Sequence, residues 1–163
     1  MENKFENRLT RKVMDDKVFE EYCEDKRTSY DLSLLTKEIF ERLEYKAAIR
    51  GIRLLIDREQ AFDKKIYGDI TSLRESIAVL IETTLYFINK GETVRIASRE
   101  NQIIVFLPQN KALPYLVLQP EIVLSESKRL DRFREALDYV QNTNGTVKMS
   151  EKKSEMTISL LAN

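Results

Sequence analysis

The stretch Val79–Ile96, VLIETTLYFINKGETVRI, decides the fold, because its hydrophobic period changes partway through. Upstream of the change, Ile70, Leu73, Ile77, Leu80, Ile81, Thr84, Leu85 and Ile88 recur every three or four residues. That spacing lays one wide apolar stripe along a helix and predicts a core helix rather than a surface one. Asp69, after Gly68, is the expected N-cap, since its carboxylate can accept from the free amides of the first turn. Beyond Lys90-Gly91 the period drops to two. TVRIAS and QIIVFL flank the short connection REN, the pattern of a β-hairpin, although the turn lacks the favoured Asn-Gly pair.

Working outward, Leu32, Leu35, Ile39, Leu43 and Ala47 form a second helical pattern, which Gly51 stops. IRLLID (52–57) is a short strand, and REQAFDKK connects it to IYGD (66–69). All three prolines, Pro108, Pro114 and Pro120, fall within 108–126, an irregular excursion around YLVL. A further helix covers about 128–141, with Leu130, Phe133, Leu137 and Val140 apolar, and Asn144-Gly145 ends it. TVKM and MTISLL close the chain as strands. At the other end, residues 3–26 read as a helix with Phe5, Leu9, Val13, Phe19, Tyr22 and Cys23 within half its circumference. Met14 and Val18 lie on the other side. The polar stretch EDKRTSYD (24–31) separates this helix from the next. Helices patterned on one face and a mixed, largely antiparallel sheet argue for an α/β (α+β) two-layer sandwich with an N-terminal helix appended. The expected division is 1–28 for that helix and 29–163 for the body.

Composition narrows the chemistry. The 163 residues carry 27 Lys plus Arg and 27 Asp plus Glu, a formal net charge of zero, which gives no electrostatic case for a nucleic-acid or membrane partner. No apolar run approaches a membrane span and no signal peptide opens the chain, so a cytoplasmic location is expected. Cys23 stands alone, excluding a disulfide framework or cysteine metal cage. Histidine is absent altogether, which removes the commonest general base, the commonest metal ligand and every Ser-His or Cys-His pair. The four glycines are isolated, whereas a phosphate cradle of backbone amides usually draws on glycines close together.

In this order, YDLSLLTKEIFERLEYKAAIRGIRLLID, IYGDITSLRESIAVLIETTLYFINKGETVRI and ALDYVQNTNGTVKMSEKKSEMTISLL resemble the ATP-binding catalytic domain of sensor histidine kinases. Gyrase and the heat-shock chaperone of about ninety kilodaltons share that fold. The resemblance covers roughly residues 30–161 and rests on spacing and apolar pattern more than on identities. It implies a nucleotide site built from three boxes. In the first, the aligned residues are Val79 to Thr84: Glu82 keeps the family's acid, but Thr83 stands where an asparagine amide would bind Mg²⁺, and a hydroxyl is a poorer ligand for that cation. Tyr86 follows one turn on. In the second, Pro108, Asn110 and Ala112 stand at the Asp, Gly and Gly positions, and Pro108 can neither accept the adenine proton through its side chain nor donate one from its backbone. In the third, SESKRLDRF places Leu130 and Arg132 near the glycines of a helix start that cradles phosphates, while Lys128, Arg129 and Arg132 could attract phosphate or form an ordinary solvated face.

These departures set the expectations. No catalytic or metal-binding residue is assigned, no cofactor is expected, and Glu82, Thr83, Tyr86, Pro108, Asn110 and Ala112 are vestigial pocket positions. The chain is expected to be a non-enzyme, a pseudokinase-like regulator of bacterial type acting as a protein-interaction module in two-component signalling. Its partner would be a response regulator or a histidine kinase. Phe5, Leu9, Val13, Met14 and Val18 would form the contact, most simply a homodimer. The apolar lid, with Leu116 and Leu118, is expected to fill the vacant pocket near Thr83 or Tyr86. The alternative is a Mg-ATP-binding histidine-kinase-type catalytic domain with unorthodox ligands. A third reading, an excised fragment of a longer sensor, ranks below the other two on the opening Met and the closing strand.

Overall fold

A computed structural model describes residues 29–57, 65–108, 127–150 and 152–161. The elements are β1 (Ser29–Asp31), α1 (Leu32–Ile49), β2 (Arg53–Ile56), β3 (Lys65–Tyr67) and α2 (Ile70–Tyr86), then β4 (Thr93–Arg99), β5 (Gln102–Phe106), α3 (Ser127–Asn142), β6 (Thr146–Ser150) and β7 (Glu155–Ser159). The helix expected over 3–26 and its contact residues lie outside the described residues, as do Asn110, Ala112, Leu116 and Leu118.

Helix α1 buries Leu32, Leu35, Thr36, Ile39, Leu43 and Ala47, one face at helical spacing. It ends where Gly51 takes a φ of +76°, a conformation that costs a residue without Cβ little, and the Gly51 and Ile52 amides return to the Ala48 and Ala47 carbonyls. Helix α2 starts as expected, with the Asp69 carboxylate accepting from the Ser72 amide at 3.3 Å. It is buried nearly all round from Ile77 to Ile81. A helix of that kind has neighbours on several sides: α1, α3 and the sheet.

The five-stranded sheet has the order β2-β4-β5-β7-β6. Only β2 and β4 are parallel; the other neighbours are antiparallel. The parallel pair is possible because the connection from β2 to β4 contains β3 and α2 and is long enough to carry the chain back to the same end of the sheet. Register places Leu54, Val94, Ile96, Ile103, Val105, Met156 and Ile158 in one core with the three described helices. Each fully buried Leu or Ile there contributes roughly 1.5–3 kcal/mol relative to exposure. Helices on one face of a mixed, largely antiparallel sheet give the two-layer architecture read from the sequence.

The sequence reading missed one part. Residues 29–31, taken as a polar separator, pair antiparallel with 65–67 as a separate two-stranded ribbon. The Tyr67 amide donates to Leu161 O at 3.2 Å, which ties the ribbon to the end of β7. Three-residue strands carry too few residues for an alternating pattern to show.

Candidate functional site

The C-terminal half of α2 carries Glu82, Thr83 and Tyr86, and three helix ends meet around it. Helices α1 and α2 run in the same direction, and polar contacts step along them in parallel. Glu38 pairs with Arg74 at 3.0 Å, Arg42 with Glu75 at 2.8 Å and Lys46 with Glu82 at 3.0 Å. The last step is Arg50, whose guanidinium donates to Tyr86 O at 2.7 Å. The final carbonyls of α2 carry the negative end of the helix dipole, so a cation at this position is favoured. Arg42 donates to the Glu75 carboxylate and holds it below the usual carboxylate range, and the same bond raises the Arg42 guanidinium above its ordinary value.

Tyr86 is the centre of the cluster. The Arg50 guanidinium lies 4.5 Å from its ring centroid and that of Arg129, in the first turn of α3, only 3.7 Å. Phe87 packs edge-on against the same ring at 5.2 Å. Guanidinium groups at such distances are attracted to the ring's negative face. Thus Arg129, read from the sequence as a phosphate-attracting or solvated residue, is half-buried against Tyr86, while Lys128 and Arg132 are exposed.

Thr83 is only 5% exposed. Its neighbour Thr84, also buried, donates back to Leu80 O at 2.8 Å and lies 3.9 Å from Met156 Sδ. Glu82 is partly exposed and engaged by Lys46. Pro108 is half-buried, just past β5, where the Leu107 amide donates to Ser154 O at 2.8 Å. Of the six predicted pocket positions, the structure therefore brings Glu82, Thr83 and Tyr86 together on one helix and places Pro108 at the end of β5. Asn110 and Ala112 are outside the described residues.

At the opposite end of the helix pair, the Tyr30 hydroxyl donates to Glu38 Oε2 at 2.8 Å, and Arg74 binds Glu38 Oε1. Donation to Glu38, with desolvation as a lesser cause, raises the Tyr30 phenol above its ordinary value. No sequence signal announced this trio or the Arg50–Tyr86–Arg129 cluster, because each joins residues far apart in the chain.

The architecture is the histidine-kinase-like ATPase fold. Solved structures that resemble the chain are those of histidine kinases or of segments of them. The cytoplasmic segment of histidine kinase QseC matches with a TM-score of 0.55 at 15% identity, over 83% of this chain and 74% of that one. The catalytic domain of histidine kinase ThkA gives 0.55 at 13% identity, over 83% and 96%. Histidine kinase AdeS of Acinetobacter baumannii gives 0.55 at 14%, over 93% and 77%. No protein-family model matches the sequence, and no curated protein matches it. At these identities the likeness is one of fold. No helix among the described residues is long and apolar enough to cross a membrane.

One expectation is corrected here. The chain was expected to be a non-enzyme, yet the domains it matches include histidine kinase catalytic domains, which are enzymes. The physical reason for the error lies in the boxes. Replaced side chains do not remove backbone amides, which any residue except proline supplies. The retained acid, Glu82, stands on the buried helix with Lys46 beside it.

Proposed function

We propose that this chain is a kinase-like signalling domain of two-component type that works through a protein partner and whose standard Mg-ATP contacts are altered. The observation that carries the reading is the state of α2. Thr83, where the resemblance calls for a metal-binding asparagine, is buried, and Tyr86 one turn on is covered by Arg129 from the helix start that would face phosphate. The response regulator or the histidine kinase of a two-component system is the fitting partner, in the cytoplasm. Self-association through Phe5, Leu9, Val13, Met14 and Val18 is part of the proposal.

Calorimetric titration with Mg-ATP tests the nucleotide half. Silence at high concentration is expected, and micromolar affinity would overturn it. Sedimentation of the intact chain against one lacking residues 1–26 tests the association half: the intact chain is expected to be dimeric and the shortened one monomeric.

A second reading has an observation in its favour. Lys46, Arg50 and Arg129 gather around the end of α2 beside the retained Glu82. An ATP-dependent kinase with unorthodox ligands would use these cations for phosphate and Glu82 as its acid. Positive calorimetry would select it.

A further inference from the structure

A concave site lies at the other end of the sheet from the Tyr86 cluster. The first two turns of α1 stand over the carboxyl ends of the parallel strands β2 and β4, and between them is a cavity of about 340 Å³. Ser98 is five residues along β4 from Thr93, the end that follows Tyr86, so about 17 Å of strand separates this cavity from that end. The cavity is therefore not part of the cluster around Tyr86.

Its lining is chemically unusual for an accidental hollow. Ser98 is 7% exposed and sits on the core face of a central strand, paired in register with Ile103. No hydrogen bond to a described group holds its hydroxyl, and the oxygen is open to the cavity rather than sealed in the core. Thr36, also buried, spends its proton on Leu32 O at 2.8 Å and keeps its lone pairs. Asp57 and Lys37 supply opposite charges to the same lining, and among the described residues neither carboxylate nor ammonium is paired, with each other or with anything else. The Asp57 backbone is fixed by its amide bond to Ile96 O at 2.8 Å. Leu34 and Ile56 add an apolar wall.

Two opposite charges that line one cavity without pairing are complementary to a molecule carrying both charges itself. The start of α1 is already faced by the Asp31 carboxylate, which pairs with Lys65 at 2.7 Å, so Lys37 is the cation left for a ligand carboxylate. The geometry points to a binding site for a small zwitterion, an aliphatic α-amino acid in size and charge. Its ammonium meets Asp57, its carboxylate meets Lys37 and accepts from the Ser98 hydroxyl, and its side chain lies along Leu34 and Ile56. The volume is at the lower end for ligand pockets, which suits a molecule of that size. This assignment is independent of whether the domain handles nucleotide.

The test is an amide chemical-shift titration of the full chain with L-leucine and L-valine, using N-acetyl-L-leucine and L-leucinamide as charge-blocked controls. Saturable shifts at the Thr36, Asp57 and Ser98 amides are expected for the free amino acids, with affinity at least about tenfold weaker for each control. Asp57→Asn and Lys37→Met, at positions outside the core, are each expected to weaken binding by a similar factor while leaving the melting temperature near that of the parent. No saturable shift with either amino acid up to roughly ten millimolar would overturn the assignment. So would equal binding of the blocked controls, or indifference to either charge variant.

Discussion

Arg129 lies 3.7 Å above the centre of the Tyr86 ring, joining the first turn of α3 to the last turn of α2 across 43 residues of chain. Arg50 reaches the same ring from α1, so one aromatic side chain fastens three helix ends. A half-buried guanidinium on an aromatic face contributes about 0.5–2 kcal/mol. Arg129→Gln is therefore expected to lower the unfolding free energy by about 1 kcal/mol. Tyr86→Leu should cost a similar amount, and the double variant less than the sum. Denaturant unfolding of the four proteins checks this, with a non-zero coupling energy as the signature.

The core makes a sharper forecast. Leu80 on α2 is fully buried, whereas Ile49, at the end of α1, is 67% exposed. Truncation to alanine leaves a cavity at the first and nothing at the second. Leu80→Ala should lower stability by about 2–5 kcal/mol, and Ile49→Ala by no more than about 0.5 kcal/mol. Comparable losses at both sites, measured by urea denaturation, would mean that Ile49 is covered in solution.

Much of this fold was legible in the sequence because its signals are local. The stripe from Ile70 to Ile88, the Asp69 cap and the change of period at Gly91 each rest on residues a few positions apart, and all three appear in the structure. The site was legible only in part. Glu82, Thr83 and Tyr86 share a helix, so one motif found them together. Arg50 and Arg129 come from other helices, and their meeting on Tyr86 depends on how those helices pack. The β1–β3 ribbon escaped for a related reason: it is defined by pairing between residues 34 to 38 positions apart, not by pattern.

Gly145 shows a local signal whose physical cause only the structure supplies. The sequence reading took Asn144-Gly145 as a helix stop without assigning the two residues separate parts. In the structure Asn144 takes the positive φ, 68°, while Gly145 is needed for space. A Cβ there would meet Ser159 O at 2.8 Å and the Val140 side chain at 2.8 Å. The carbonyl belongs to β7 and cannot rotate away. Gly145→Ala is expected to cost about 1–3 kcal/mol, as overpacking does. Asn144→Gly should be neutral to mildly stabilising, since it relieves the left-handed residue. Thermal melts of the two variants should move in different directions or by clearly different amounts.

The Tyr30–Glu38–Arg74 trio predicts a dependence on alkaline pH. Tyr30 donates its proton to the Glu38 carboxylate, so ionising the phenol would remove the bond and set two negative groups together. The folded state thus favours the protonated phenol, and its pKa lies above the unfolded value, ordinarily about 10. A group shifted in that sense contributes stability that is fully present below the unfolded pKa. The contribution fades as pH rises through the folded pKa. Arg74 opposes the shift without reversing it, since its guanidinium favours the ionised phenol. Tyr30→Phe should therefore be less stable than the parent at pH 8, and the two should converge as pH climbs past the unfolded value. Stability measured by urea unfolding from pH 8 to 11 gives the comparison, with the difference ultraviolet titration of the two proteins isolating one late-titrating tyrosine. A gap that widens with pH, or a Tyr30 that titrates earlier than a free tyrosine, would show that Glu38 does not hold this hydroxyl in solution.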